Sequence, residues 1–261
     1  MKILFIGDIV ASPGRHIVEK NLPRLLEQYE IDFTIANGEN SSGGAGMSRK
    51  SLEELSAIGV DAFTMGNHIW DNKEIFDLID HDQRIVRPAN FAPSLPGMPW
   101  RIYDLPQGKK LALSNIVGRI YMPPANCPFA AMDEMLKQVR DITSFIIVDF
   151  HAEATSEKMA MGWYLDGRIS ALLGTHTHIQ TNDARILPRG TAYLTDVGMT
   201  GPRDSVLGVD KDIIIKKMLT QMPQRFEPAR GDLQFNGVVI ELGEDGKART
   251  IDLINFFDPS L

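Results

Sequence analysis

The sequence predicts an α/β fold built on a parallel sheet with helices over both faces. Three observations carry this. In the N-terminal part a short β-rich run, a loop and a helical apolar pattern follow one another three times, and such alternation implies parallel strands joined by crossover helices. The run SFIIVDF is apolar enough for a central strand buried on both faces. The chain has 261 residues, 43% of them hydrophobic, with no compositional break, which suits one large domain spanning 1–261.

The elements follow in order. Lys2 to Gly7 is a β-rich run, and the segment after it places Pro13 near a helix start with Ile17, Val18, Leu22, Leu25 and Leu26 at helical spacing. FTIANGEN is the second strand, followed by a helix from about Ser48 carrying Leu52, Leu55 and Ile58; AFTMGNH is the third, followed by a short helix around Glu74 to Ile79. Residues 88–99, PANFAPSLPGMP, are proline-rich and suit an ordered loop rather than a linker. WRIYDL and KKLALSNIVG come next, then a helix near Met132 to Val139 and the SFIIVDF strand. ISALL is a further buried strand that ends at Gly174. The C-terminal part, from TAYLTDVG through FNGVVIELGEDGKARTIDLI, is rich in strand and turn signals, and GEDGK has the character of a hairpin. There is no internal repeat or low-complexity tract.

Composition excludes several functions. A net charge of -7 and a pI of about 5.4 argue against an extended nucleic-acid surface or an anionic-lipid surface. An anionic substrate must therefore be held by local charge. The N-terminal MKILFIGDIVASPG has one lysine ahead of an apolar run that Asp8 cuts short, unlike a signal peptide or a membrane span. The single cysteine, Cys127, excludes an internal disulfide and a Cys-rich zinc knuckle. A cytoplasmic protein is expected, with any metal held by His, carboxylate or amide groups.

The chemistry gathers where strands end. Apolar residues give way each time to metal-competent side chains: Asp8 in GDIV, Glu39 and Asn40 in NGEN, Asn67 and His68 in GNH, His151 in DFHAE, and His176 and His178 in GTHTH. Each has an ordinary alternative as a cap, a turn residue or a core histidine. In open α/β sheets, however, ligands bind outside the carboxyl ends of the strands, so five such clusters converge on one crevice. Alternate residues of an extended segment point to one side, so His176 and His178 are expected to face one object. Imidazole is the commonest metal ligand, which makes a metal the first candidate for it. The loop SSGGAG, Ser41 to Gly46, lacks a Gly-Lys-Ser/Thr ending and has Ala45 where GxGxxG needs glycine, so it is expected to line a pocket rather than cradle phosphate.

In order along nearly the whole chain, GD, GNH, the lone histidine after a buried strand and GTHTH resemble the calcineurin-like metallophosphoesterases. GDIVASPGR, NGENSSGGAGM, TMGNHIWD, RPANF, DFHAEATSEK and TDVGMTGP are similar to the bacterial YmdB-type branch. The resemblance implies a four-layer αββα sandwich and a two-metal phosphodiesterase of cyclic nucleotides. Two departures stand out against the wider superfamily. Val10 occupies the position of the usual Asp-x-His histidine, and NGEN replaces GDxxD. The resemblance implies that Glu39 bridges the metals and that Asn40 replaces the missing histidine. The first metal would then take Asp8, Glu39, Asn40 and His178, and the second Glu39, Asn67, His151 and His176.

Phosphodiester hydrolysis needs a nucleophile at neutral pH and relief of phosphoryl charge. Two metals about 3.5–4 Å apart supply both, by acidifying a bridging water and clamping the phosphate oxygens. Mixed carboxylate, amide and imidazole ligands without thiolate suit iron or manganese, with zinc next. His68 follows Asn67 directly and is the expected general acid for the leaving group, or else hydrogen-bonds a ligand. Glu153 and Asp149 are at most supporting residues of His151, and His16 and His81 are expected on the surface. Trp163 and Tyr164 could flank a base, with packing as their other role. The competing functions are a phosphomonoesterase on the same metals, and a metal-dependent regulatory module of low turnover, which the loss of the usual histidine at Val10 suggests. The substrate is a small phosphodiester, and the sequence leaves the oligomeric state open, a homo-oligomer included.

Overall fold

The computed structural model describes residues 1–258. Along the chain run β1 (Lys2–Ile6), β2 (Asp8–Ile9), α1 (Ala11–Tyr29), β3 (Phe33–Asn37), α2 (Arg49–Ala57), β4 (Ala62–Thr64), α3 (Ile75–Leu78), β5 (Ile85–Val86), β6 (Trp100–Asp104) and β7 (Lys110–Val117). There follow α4 (Pro128–Val139), β8 (Phe145–His151), α5 (Thr155–Leu165), β9 (Ala171–Thr175), β10 (Arg185–Ile186), β11 (Ala192–Leu194), β12 (Met199–Pro202), α6 (Lys211–Thr220), β13 (Leu233–Leu242) and β14 (Ala248–Asp258).

Two sheets face each other. The first has the order β2-β12-β13-β1-β3-β4-β5, with β14 also paired to β13, and the second β10-β11-β9-β8-β7-β6. Strand alternation assigns each side chain to a layer. In β1, Ile3 and Phe5 pack between the sheets with Leu113, Ile147 and Leu173, while Leu4 and Ile6 face Ile17, Leu22, Leu52 and Leu55 of α1 and α2. In β8, Ile147 points inward and Ile146, Val148 and Phe150 pack on Met132, Leu136, Met161 and Leu165 of α4 and α5. The result is the four-layer αββα sandwich.

The sheets are mixed rather than parallel, which corrects the expectation from strand-helix alternation. β1, β3, β4 and β5 run parallel, as do β7, β8, β9 and β11, but β13 pairs antiparallel with β1, β12 and β14. The C-terminal hairpin thus completes the first sheet, and its turn covers GEDGK as expected. The proline-rich loop at 88–99 is ordered by Arg87, whose guanidinium donates to the carbonyls of Pro88, Leu95, Pro96 and Gly97. Among the described residues no helix is long and apolar enough to cross a membrane.

Candidate active site

The parallel strands of both sheets deliver their carboxyl ends to one place. Asp8 follows β1, Glu39 and Asn40 follow β3, Asn67 and His68 follow β4, His151 ends β8, and His176 and His178 follow β9. All eight converge there. Glu39, His151 and His176 each bring a ligand atom within 4.8 Å of the others. His151 Nε2 lies 3.1 Å from Glu39 Oε1, 3.0 Å from Asn67 Oδ1 and 3.0 Å from His176 Nδ1. Beside this group, Asn40 Nδ2 is 3.2 Å from Glu39 Oε1 and 3.1 Å from His178 Nε2. Asp8 Oδ1 stands 3.9 Å from the His151 ring and 4.0 Å from His178 Nε2.

The imidazoles are oriented from behind. Thr175 Oγ1 donates its one proton to Asp149 Oδ1 at 2.6 Å, so His151 Nδ1, at 2.8 Å from that hydroxyl, must be the donor to it. His178 Nδ1 donates to the Leu207 carbonyl at 3.0 Å, and His176 Nε2 faces Glu153 at 3.3 Å. Each ring therefore turns its other nitrogen into the shared space, the arrangement by which proteins fix metal-binding histidines. Asp149 and Glu153 are thus supporting groups, as their flanking positions suggested.

His176 and His178 reach the site differently from the expectation. β9 ends at Thr175, and both histidines have left-handed backbones, with φ of 100° and 65°. Two turns aim them, where strand alternation was expected. Such backbone is costly for non-glycine residues and persists where the surroundings impose it. Lys158 and Asp196 do so here. Lys158 Nζ donates to the Thr175 carbonyl at 2.8 Å and to Asp196 Oδ2 at 2.6 Å, and Asp196 Oδ2 accepts from the Thr177 amide at 3.1 Å. Both lie inside the DFHAEATSEK and TDVGMTGP motifs, but nothing local marks a lysine of an α-helix as the brace of a loop in the next unit. Gly66 is required by the site itself. Its φ is 58°, and a Cβ there would come within 2.3 Å of Glu39 Oε2 and 2.8 Å of His151.

These residues fit metal ions. Three acceptor atoms surround His151 Nε2, which carries at most one proton, and the buried Asp8 Oδ1 has no hydrogen-bond partner. The protonation pattern is strained in the same sense. Burial would lower His151, yet the Glu39 and Asp8 carboxylates hold it up to about 9. Burial would raise Glu39, but the His151 charge brings it down to about 2. Burial and that same charge push His176 down to about 3, burial lowers His178, and burial lifts Asp8 well above the usual carboxylate range. A cation among these lone pairs relieves both conflicts. Asn40 can offer it an oxygen by a half-turn of its amide.

A cavity of about 540 Å³ opens over this cluster. Its floor includes Glu39, Asn40, His176 and His178, and Gly43, Gly44 and Ala45 line it, as expected for the SSGGAG loop. Among the described residues no Lys or Arg lines it, and a metal ion in the cluster would supply positive charge for an anionic ligand. His68 also lines it, with Nδ1 held by Asp71 Oδ2 at 2.7 Å and its backbone amide on Glu39 Oε2 at 2.9 Å. Asp71 escaped the sequence reading, although HIWD places it one turn from His68. Trp163 and Tyr164 are not at this cavity: Arg185 covers the Trp163 ring and Tyr164 donates to Asp133. His16 and His81 are on the surface.

The family model described as "YmdB-like protein" matches residues 4–254. The chain is 52% identical over 247 residues to the "2',3'-cyclic-nucleotide 2'-phosphodiesterase" of Bacillus subtilis (strain 168), covering 95% of this chain and 93% of that one. Among solved structures it superimposes on a hypothetical protein from Thermus thermophilus with a TM-score of 0.94 and 42% identity, over 99% of this chain and 100% of the other. It likewise matches a phosphatase from Mycoplasma pneumoniae with a TM-score of 0.93 and 34% identity, over 99% and 94%.

Proposed function

The chain belongs to the YmdB-like protein family, and from that membership and the geometry above we propose that it is a metal-dependent phosphodiesterase of small cyclic nucleotides, 2',3'-cyclic substrates foremost. The observation that carries this is the three imidazoles, each tied outward by its own acceptor and turned inward on Glu39, Asn67, Asn40 and Asp8. Asp8, Glu39, Asn40 and His178 would hold one metal ion, and Glu39, Asn67, His151 and His176 the other. Iron or manganese suits that donor set. Bound there, two such ions supply an activated water at neutral pH and neutralise charge on the phosphoryl oxygens.

The rest falls to the chain. In opening a 2',3'-cyclic phosphate, water adds to phosphorus, the bond from phosphorus to the 2'-oxygen breaks, and that oxygen needs a proton. His68 supplies it from Nε2, because Asp71 holds the Nδ1 side and keeps the ring facing the cavity. The buried walls hold the ligand groups in place before substrate arrives. A cytoplasmic setting suits the lone Cys127, which makes no internal disulfide. The test is a side-by-side assay of 2',3'-cyclic AMP, 3',5'-cyclic AMP and 5'-AMP with manganese. Diester turnover that dialysis against chelator abolishes supports the assignment. Turnover of 5'-AMP alone would make the protein a phosphomonoesterase, and no turnover of any of them would favour a regulatory module.

A further inference from the structure

The cavity has a second half that the metal cluster does not use. Away from the ligands its lining is mostly apolar, from Val10, Leu207, Val209, Phe226 and Pro228, with Glu227 as the one carboxylate of that wall. Two segments on either side of α6 build this wall as a small ladder. Val209 bridges to Pro228, the Asp210 amide donates to the Glu227 carbonyl at 2.9 Å, and the Ala229 amide to the Gly208 carbonyl at 2.9 Å. Gly208 lets the ladder close onto the site, since with φ at 93° a Cβ there would lie 2.7 Å from Val10. Leu207 belongs to both halves. Its carbonyl accepts from His178, the residue lines the cavity, and its own backbone is left-handed, with φ of 53°.

Among the described residues Phe226 is the only Phe, Tyr or Trp of the lining, and it is 48% exposed. Lys217 braces the ring, with Nζ 4.5 Å from its centroid. Single exposed apolar side chains are ordinary on a surface. This one differs because it shares a cavity with a phosphate-competent cluster, on a wall whose backbone also positions one of the proposed ligands. A metal-held phosphate has no need of an apolar wall, whereas the base of a nucleotide has a flat apolar face and stacks on aromatic rings whatever its identity.

We infer that Phe226, in a cavity that Leu207 also lines, is the nucleobase platform and separates nucleotide substrates from base-free phosphodiesters. This rests on the cyclic-nucleotide assignment above, and the measurement is chosen to be independent of turnover. Manganese-bound wild-type, Phe226→Ala and Phe226→Trp proteins are titrated calorimetrically with 3'-AMP and with inorganic phosphate. The wild type is expected to bind 3'-AMP more tightly than phosphate. Phe226→Ala should reduce the ratio of the two affinities by about 5- to 150-fold, the range for one base on one aromatic ring, and Phe226→Trp should restore it. In kinetics on 2',3'-cyclic AMP, the Ala variant should show the loss mainly in KM. An unchanged ratio in Phe226→Ala, or equal affinities of the wild type for 3'-AMP and phosphate, would overturn the platform. A wild type that binds 3'-AMP through Phe226 yet leaves 2',3'-cyclic AMP intact would remove the diesterase assignment and keep the platform.

Discussion

Replacing Thr175 by valine removes one hydroxyl and almost no volume, yet two buried groups depend on it. The hydroxyl accepts from His151 Nδ1 at 2.8 Å and donates to Asp149 Oδ1 at 2.6 Å, and all three residues are fully buried. Valine leaves an imidazole N–H without an acceptor, at about 1–3 kcal/mol, and takes a charge-assisted bond from a carboxylate, at about 1.5–3 kcal/mol. Asp149 keeps the Asn37 amide at 3.0 Å, so the two losses are not fully additive and Thr175→Val should cost about 3–5 kcal/mol. Urea unfolding of the metal-free protein measures this. The second readout belongs to function. With its Nδ1 proton no longer anchored, His151 is free to turn or to take the wrong tautomer, and manganese affinity should fall by about 10- to 100-fold. Thr175→Ser retains the hydroxyl and should recover most of both. A valine variant that loses stability but binds manganese like the wild type would refute the claim that Thr175 orients His151 for a metal.

Other outcomes follow from the same geometry. His68→Ala should keep its metals while turnover of 2',3'-cyclic AMP drops by about 10²–10⁴-fold, with a nitrophenyl diester suffering less because its leaving group needs little protonation; equal losses on the two substrates would point to phosphate positioning instead. In the metal-free protein His151 is held up to about 9, so below that pH a metal must displace its proton, and manganese affinity should climb by up to about tenfold per pH unit from 6 to 8 and flatten above 9. A flat profile over that range in calorimetric titrations would contradict the proton count. Lys158→Met should destabilise the protein by about 3–5 kcal/mol in urea unfolding, since it strands the fully buried Asp196, and an effect below 1 kcal/mol, the size of an exposed pair, would mean that the pair does not brace the GTHTH turn.

The parts of this molecule written locally were legible in its sequence. Runs such as KILFI and FTIAN carry their own strand signal, and the polar residues after them mark the carboxyl ends where the site forms. GEDGK announced its hairpin in the same way. What depends on distant pairing was not legible. Nothing in FNGVVIEL states that it enters the first sheet beside β1, some 230 residues earlier, so the mixed character of the sheets emerges only in the fold. α5 begins after Ala154, which offers no side-chain cap, and α6 buries only Ile214, so neither shows the usual boundary or stripe of a packed helix. The left-handed turns at His176 and His178 were hidden for another reason. They are imposed by Lys158, Asp196 and Leu207, which meet this segment only in three dimensions.

The division of GTHTH between two metal ions is the claim on which the mechanism stands. Anomalous scattering from manganese-soaked crystals of His176→Ala and His178→Ala reports it directly, with Asn40→Ala as a companion. His178→Ala and Asn40→Ala should keep the ion beside His151 and lose the one beside Asp8, while His176→Ala should do the reverse. Loss of the same ion from both histidine variants, or two full ions retained in each, would contradict a two-metal centre shared by these residues.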